Sequence, residues 1–253
     1  MRTRLISFVV AVFLAAPLAA QRPIPNTREQ ARVPYSSGLE SFKTEAWDDA
    51  VKSFKSAIDI DPTFEMAFYM LGRTHMAQKK FAEAVATYEK CRTLHQQQSG
   101  RQYTNAQERQ RALDTRLREI DEVIRTYQGT QQTQNVINAL RQLENQKRMT
   151  QEEISRRNST MTLGLSVPAY VSMALGSAYF RMGNLASAEK EYKAAVEADG
   201  RSGEAYNNLA VVYMETGRLD DAEKSVRAAE QVGFKVQPQL KDEIKNRRKA
   251  GTL

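Results

Sequence analysis

The sequence predicts an all-α protein: a helical solenoid of about four helix-turn-helix units with a C-terminal capping helix, interrupted by a long inserted helical hairpin. Three observations carry this. Residue types recur at a fixed offset of 34 in two separate stretches, the mark of stacked repeats. The 253 residues hold only 7 prolines and 12 glycines, and few alternating β-branched runs, which suits helices. Between the repeated stretches lies a run without glycine or proline whose apolar residues fall in heptads.

The repeat is clearest from Ala169 to Phe234. Leu175 recurs as Leu209, Tyr179 as Tyr213, Gly183 as Gly217, Leu185 as Leu219, Ala188 as Ala222 and Ala195 as Ala229. Each unit reads as two short helices. The first carries Leu175-Gly176 and Tyr179 on one face and stops at Gly183, where glycine takes the left-handed conformation that closes a helix. The second carries Ala188, Tyr192 and Ala195 on one face. Its alanines let backbones approach, and its aromatic fills the space between layers. Two more units precede them at the same offset of 34, with Gly38 recurring as Gly72, Ala50 as Ala84, Phe54 as Tyr88 and Ala57 as Cys91. This pattern of Leu-Gly, Tyr, Gly, Ala, aromatic and Ala resembles tetratricopeptide repeats, of the exported bacterial kind. The resemblance covers about residues 35–95 and 169–234 and implies a protein-binding scaffold. The first unit departs from it, with Ser37 where a large apolar residue is usual and Ser41 where an aromatic is usual, so its first helix is expected to be the least well packed.

Taken in order, residues 1–20 read as a secretory signal: Arg2 and Arg4, an apolar core from Leu5 to Leu14, Pro17, and the small residues Ala19-Ala20 before a cleavage site near Ala20. The core is shorter than the roughly 20 residues a spanning helix needs, which weighs against an uncleaved anchor. The expected location is therefore periplasmic or secreted, with membrane contact at most peripheral. Loss of Arg2 and Arg4 lowers the formal charge from +7 to +5, and so mild an excess on an exported protein gives no reason to expect nucleic acid. Residues 21–33 read as a flexible leader with Pro23 and Pro25, and Pro34 as a first helical residue. Units one and two then fill 34–97, the insert 98–160, units three and four 167–234, and a basic capping helix with tail 235–253, its Leu240 and Ile244 facing inward.

The insert is the unusual region. Its first helix carries Leu113, Leu117, Ile120, Ile124 and Tyr127 as a seam; Gln128-Gly129-Thr130 breaks it; its second carries Val136, Ile137, Leu140 and Leu143. Arms of about 25 residues would run ~37 Å. Such a hairpin is expected to project from the solenoid as a coiled coil, its arms covering each other, or with its tip engaging a partner or a second copy. The second candidate surface is the inner face, which the resemblance assigns to peptides. Matching positions supply Tyr35, Leu39 and Phe42 from unit one and Met66, Tyr69, Arg73 and Met76 from unit two. Unit three supplies Tyr170, Met173 and Phe180, and unit four Asn207, Asn208, Val211 and Met214. The set is rich in methionine and aromatics, which suit an irregular apolar partner. The family's lysine–asparagine clamp for a chain-end carboxylate is missing, so an apolar segment is expected, with Asn208 placed to hold its backbone. The opposing reading is that these residues pack on the hairpin or on the N-terminal leader.

Catalysis finds no support in the sequence. It has no Gly-x-Ser-x-Gly elbow, phosphate loop or His-Glu-x-x-His helix. His75, His95 and Cys91 read as packed core residues, and with 2 histidines and 1 cysteine no usual zinc set forms and no internal disulfide is possible. The expectation is a scaffold without metal or cofactor that holds another envelope protein by groove, hairpin or both. The alternative is a structural protein that self-associates through the hairpin.

Overall fold

The repeats fold as helix pairs because each helix is amphipathic and too short to bury its apolar face alone. The computed structural model describes residues 27–99, 103, 105–131, 133–155 and 167–250, and these are helical throughout apart from turns and connections. Four pairs make the units: α1 (Thr27–Lys43) with α2 (Trp47–Ile60), and α3 (Glu65–Ala77) with α4 (Phe81–Ser99). Two inserted helices follow, α5 (Ala106–Gln128) and α6 (Gln134–Ser155). Then come α7 (Ala169–Arg181) with α8 (Leu185–Ala198), α9 (Gly203–Glu215) with α10 (Leu219–Gln231), and last α11 (Pro238–Ala250).

The insertion does not break the stack. α4 packs on α7 as α2 packs on α3 and α8 on α9, and Arg92 Nη1 of α4 reaches Glu191 of α8 at 2.6 Å while the Tyr179 hydroxyl donates to Glu89 at 2.8 Å. α11 covers the last layer with Ile244 buried and Leu240 packed against the same cluster. Its arginines are paired: Arg247 with Glu215 and Glu243, Arg248 with Asp220 and Glu223.

One contact repeats inside the pairs. In the first three units the aromatic of the second helix lies on the glycine of the first, so closely that a Cβ added at Gly38 would stand 2.6 Å from Cε1 of Phe54, and one at Gly176 2.5 Å from Cε1 of Tyr192. Gly72 and Tyr88 meet the same way. In unit four the corresponding residues are Ala210 and Val226, so a larger first residue is matched by a smaller second one. Gly183 and Gly217 close α7 and α9 at φ +77° and +74°. In units one and two the same corner is held by Glu45 and Lys79 at φ +60° and +61°, a conformation costing a non-glycine residue about 1–2 kcal/mol.

Two expectations are corrected. The predicted leader is helical from Thr27 onward, and Pro34 lies inside α1 rather than opening it; the predicted signal segment and residues 21–26 lie outside the described residues. α1 is therefore 17 residues long against 13 for α3, and its extra first turn carries Arg28. α1 has the smallest buried share of the first helices, 5 of 17 residues against 9 of 13 in α3, as expected for the least well packed of the set. Ser37 is exposed, but Ala31, Tyr35, Leu39 and Phe42 are buried on the opposite side, against α2 and the inserted α5.

Candidate functional site

α5 and α6 run antiparallel, with Asp121 paired to Lys147 at 2.7 Å and Arg109 to Glu153. They do not project. The pair lies along the inner face, held to α1 by Arg28–Glu119 (2.9 Å) and Arg32–Glu122, and to the later units by Gln142–Glu204 and Asn145–Asp199, both 2.6 Å. The tip is packed as well: a Cβ on Gly129 would meet the Lys43 side chain at 2.7 Å, and Tyr127 meets Phe42 edge-on at 5.8 Å between centroids.

This docking changes the seam. Leu113, Ile120, Ile124, Tyr127 and Leu143 are buried as expected, but Leu117, Val136 and Leu140 are only half-buried and Ile137 is exposed. The buried line on α5 runs through Arg109, Leu113, Arg116, Ile120, Val123 and Tyr127, and that on α6 through Ala139, Leu143, Gln146, Thr150 and Glu153. Both keep heptad spacing, and Arg109 and Glu153 pair across the contact.

A buried polar cluster forms where α5 meets the first units. The Arg28 guanidinium donates to Asp61 (2.6 Å), Glu119 (2.9 Å), Glu65 (3.0 Å) and the Thr63 carbonyl (2.8 Å), and lies 4.3 Å above the Phe64 ring. Burial, and then the neighbouring Glu65 charge, push the Glu119 carboxyl up to about 7. Burial pushes Glu65 up as well, but the Arg28 charge, together with smaller contributions from His95, Arg116 and a backbone hydrogen bond, holds that carboxyl below its ordinary range. Alongside, Arg116 Nη2 approaches His95 Nδ1 at 3.4 Å and the Tyr170 hydroxyl approaches Nε2 at 3.3 Å. Arginine can only donate, so Nδ1 accepts and the ring carries its proton on Nε2, donating to Tyr170. Burial, reinforced by the Arg116 charge, pushes His95 down from 6.5 to about 3.

His95 therefore titrates in the unfolded chain near 6.5 but stays neutral in the fold until about pH 3. Its contribution to stability is complete above 6.5 and is lost as pH falls through that window, because the unfolded state then binds the extra proton. Glu119 acts oppositely: its raised value favours the fold below about 7, and that contribution is lost as pH rises through it. Comparing chains that differ only at residue 95 separates the two. His95→Gln keeps an acceptor for Arg116 and a donor for Tyr170, and is expected to flatten the urea-unfolding stability profile between pH 6 and 4 by up to about 1.4 kcal/mol per pH unit. Parallel profiles would show that His95 is not held neutral.

Beyond this cluster the inserted pair leaves part of the inner face uncovered. A cavity of about 560 Å³ lies between α3, α7 and α9 on one side and the α5–α6 turn and α6 on the other. Phe42, Trp47, Met76, Phe81, Met173 and Phe180 supply apolar walls, and Val136, Asn138, Ala139 and Gln142 of α6 form a side. Of the expected groove residues, Phe42, Tyr69, Arg73, Met76, Tyr170, Met173, Phe180 and Asn208 line it. Tyr35, Leu39, Met66 and Met214 are buried in the core, and Asn207 and Val211 are half-buried without lining the cavity. Tyr88, Tyr127 and Glu204 also line it, although the sequence marked Tyr88 only as a repeat aromatic and Tyr127 only as a seam residue. Burial pushes the Glu204 carboxyl up, against the hydrogen bond from Gln142.

Among the described residues no helix is long and apolar enough to cross a membrane, and no group of three or more His, Cys, Asp or Glu side chains could hold a metal ion. No curated protein sequence matches the chain. Solved structures to which it is similar include a thermophilic TPR protein of Thermus thermophilus (18% identity, 88% of this chain and 100% of that one, TM-score 0.32). PilW, a widely conserved type IV pilus biogenesis factor, is another (14%, 84% and 81%, TM-score 0.37), as is MamA (19%, 81% and 92%, TM-score 0.28). Two sequence profiles described as tetratricopeptide repeat match, one over residues 173–233, from within α7 to just past α10, and one over 67–94, across α3 and α4. With the helix pairs and the glycine–aromatic contact inside them, these matches identify residues 67–94 and 173–233 as tetratricopeptide repeats.

Proposed function

We propose that this repeat protein is an exported scaffold of the cell envelope, periplasmic after cleavage near Ala20, and that it holds a protein partner by an apolar segment seated in the cavity. Tetratricopeptide repeats are protein-interaction scaffolds, and the observation that carries the finer reading is the cavity itself. Most of the inner face is covered by α5 and α6, whereas this part stays open and is walled by Trp47, Phe81, Met173 and Phe180. Its volume lies in the range of ligand-binding clefts. Export is supported by the basic, apolar and small-residue order of residues 1–20. Self-association through the inserted pair would have to use its outer surface, because the seam residues with the largest burial already pack within the chain.

A photo-cross-linking residue placed at Phe180 in the full chain, with Val33 as an exposed site outside the cavity, tests both parts. The expected product is an adduct from position 180 but not from position 33, between an envelope protein and a chain beginning at Gln21. Equal adducts from both positions, none from 180, or adducts only to a second copy would overturn the partner reading. A cytoplasmic chain still carrying Met1 would overturn export.

A further inference from the structure

The cavity carries one feature that an apolar partner alone does not explain. Arg73 of α3 lines it, and among the described residues no carboxylate lies within ion-pair distance of its guanidinium. The group stacks 5.2 Å from the centre of the Tyr127 ring and shares a hydrogen bond with the Tyr69 hydroxyl. Of the two acids lining the cavity, Glu45 and Glu204, the second acts on Arg73 electrostatically but is bonded to Gln142 at 2.6 Å rather than paired with the guanidinium. Beside Arg73 the Tyr88 hydroxyl is fully buried with no hydrogen-bond partner. A cation without a direct ion pair and a phenol without a partner, at one cavity wall, are complementary to a compact anion that accepts several hydrogen bonds.

We infer that the cavity recognises an acidic side chain lying within an otherwise apolar peptide segment, with Arg73 pairing its carboxylate and Tyr88 donating to it. The flanks decide where in the segment the acid lies. Arg73 belongs to unit two, and the cavity continues to both sides of it, to Phe42 and Trp47 of unit one and to Met173 and Phe180 of unit three. A segment running along the cavity therefore places apolar residues before and after the anion, so the charge is internal rather than at a chain end. The inference rests on the reading of the cavity as the partner site.

The test is a heptapeptide display library, flanked at both ends by linker, selected on the full chain from Gln21 and then followed with synthetic peptides by fluorescence polarisation. Retained peptides are expected to carry one Asp or Glu between apolar residues, and changing that acid to its amide should weaken binding about ten-fold or more. In Arg73→Gln the acid and amide peptides should bind alike. Arg73→Lys should keep a preference of the same sign, and Tyr88→Phe should shrink it a few-fold. Circular dichroism melting of each variant shows that the fold is kept. Retained peptides that are apolar without an acid, or an acid preference unchanged in Arg73→Gln, would overturn the inference while leaving the apolar partner reading in place. Peptides that bind Phe180→Glu as well as the parent chain, or no retained peptides, would overturn both.

Discussion

Arg28→Met is expected to destabilise the protein by about 3 kcal/mol and to loosen α5 before the rest of the fold. One guanidinium joins three carboxylates from three elements: Asp61 before α3, Glu65 in α3 and Glu119 in α5. Their side chains are 5%, 6% and 2% exposed, so removing the cation leaves them desolvated and facing one another. Breaking a buried pair costs ~3–5 kcal/mol, and the lower figure applies because the Arg28 side chain is 20% exposed. Arg28→Lys should restore only part, since an ammonium cannot direct a planar fork to three carboxylates and the Thr63 carbonyl. Adding Glu119→Gln to Arg28→Met should recover stability, because it removes one of the stranded charges. Urea unfolding gives the energies, and amide hydrogen exchange along residues 116–124 reports whether α5 opens first. A loss below about 1 kcal/mol, or uniform exchange across α5 and α3, would show that the cluster does not hold the inserted pair in place.

The repeats were legible because they rest on residue types at fixed positions: leucine, glycine, aromatic and alanine at an offset of 34 mark the same contact each time. The start of α1 was not, because Pro34 reads locally as a first helical residue. What extends the helix back to Thr27 is tertiary, Arg28 reaching partners 33 to 91 residues away in sequence. The same cause hid the docking of the insert. Arg116 and Glu119 look like solvated residues beside an apolar seam, and only their pairing with His95 and Arg28 turns that side of α5 inward. A heptad shows that a helix buries one stripe; it does not show which second surface takes the flanking residues. The cavity inherits this division. Arg73, Met173 and Phe180 could be placed on the inner face by repeat position, whereas Val136, Asn138 and Gln142 reach it only through the packing of α6.

Gly176→Leu should cost about 3 kcal/mol, the upper end for overpacking, because the space beside Gly176 is already filled by a buried ring. An added Cβ alone would stand 2.5 Å from Cε1 and 2.6 Å from Cδ1 of Tyr192, and that ring is fixed by burial and by the contact of its hydroxyl with Ser177. Even Gly176→Ala should be destabilising, although alanine favours a helix by about 1 kcal/mol over glycine. Unit four shows how the chain accommodates that methyl: Ala210 stands at the equivalent of Gly176, and Val226 at the equivalent of Tyr192. Tyr192→Val alone should be destabilising as well, through the cavity it leaves. In the double variant the alanine methyl enters the space vacated by the ring, so the two losses should not add. A cycle measured by urea unfolding is expected to give a favourable coupling of about 1–2 kcal/mol. Additive losses would mean that the glycine–aromatic contact does not set the spacing of the pair, and that the smaller residues of unit four are unrelated to each other. Coupling of the expected size would instead make the approach of the two helices a property of these two positions together, which is why the aromatic could be exchanged in unit four only along with its glycine.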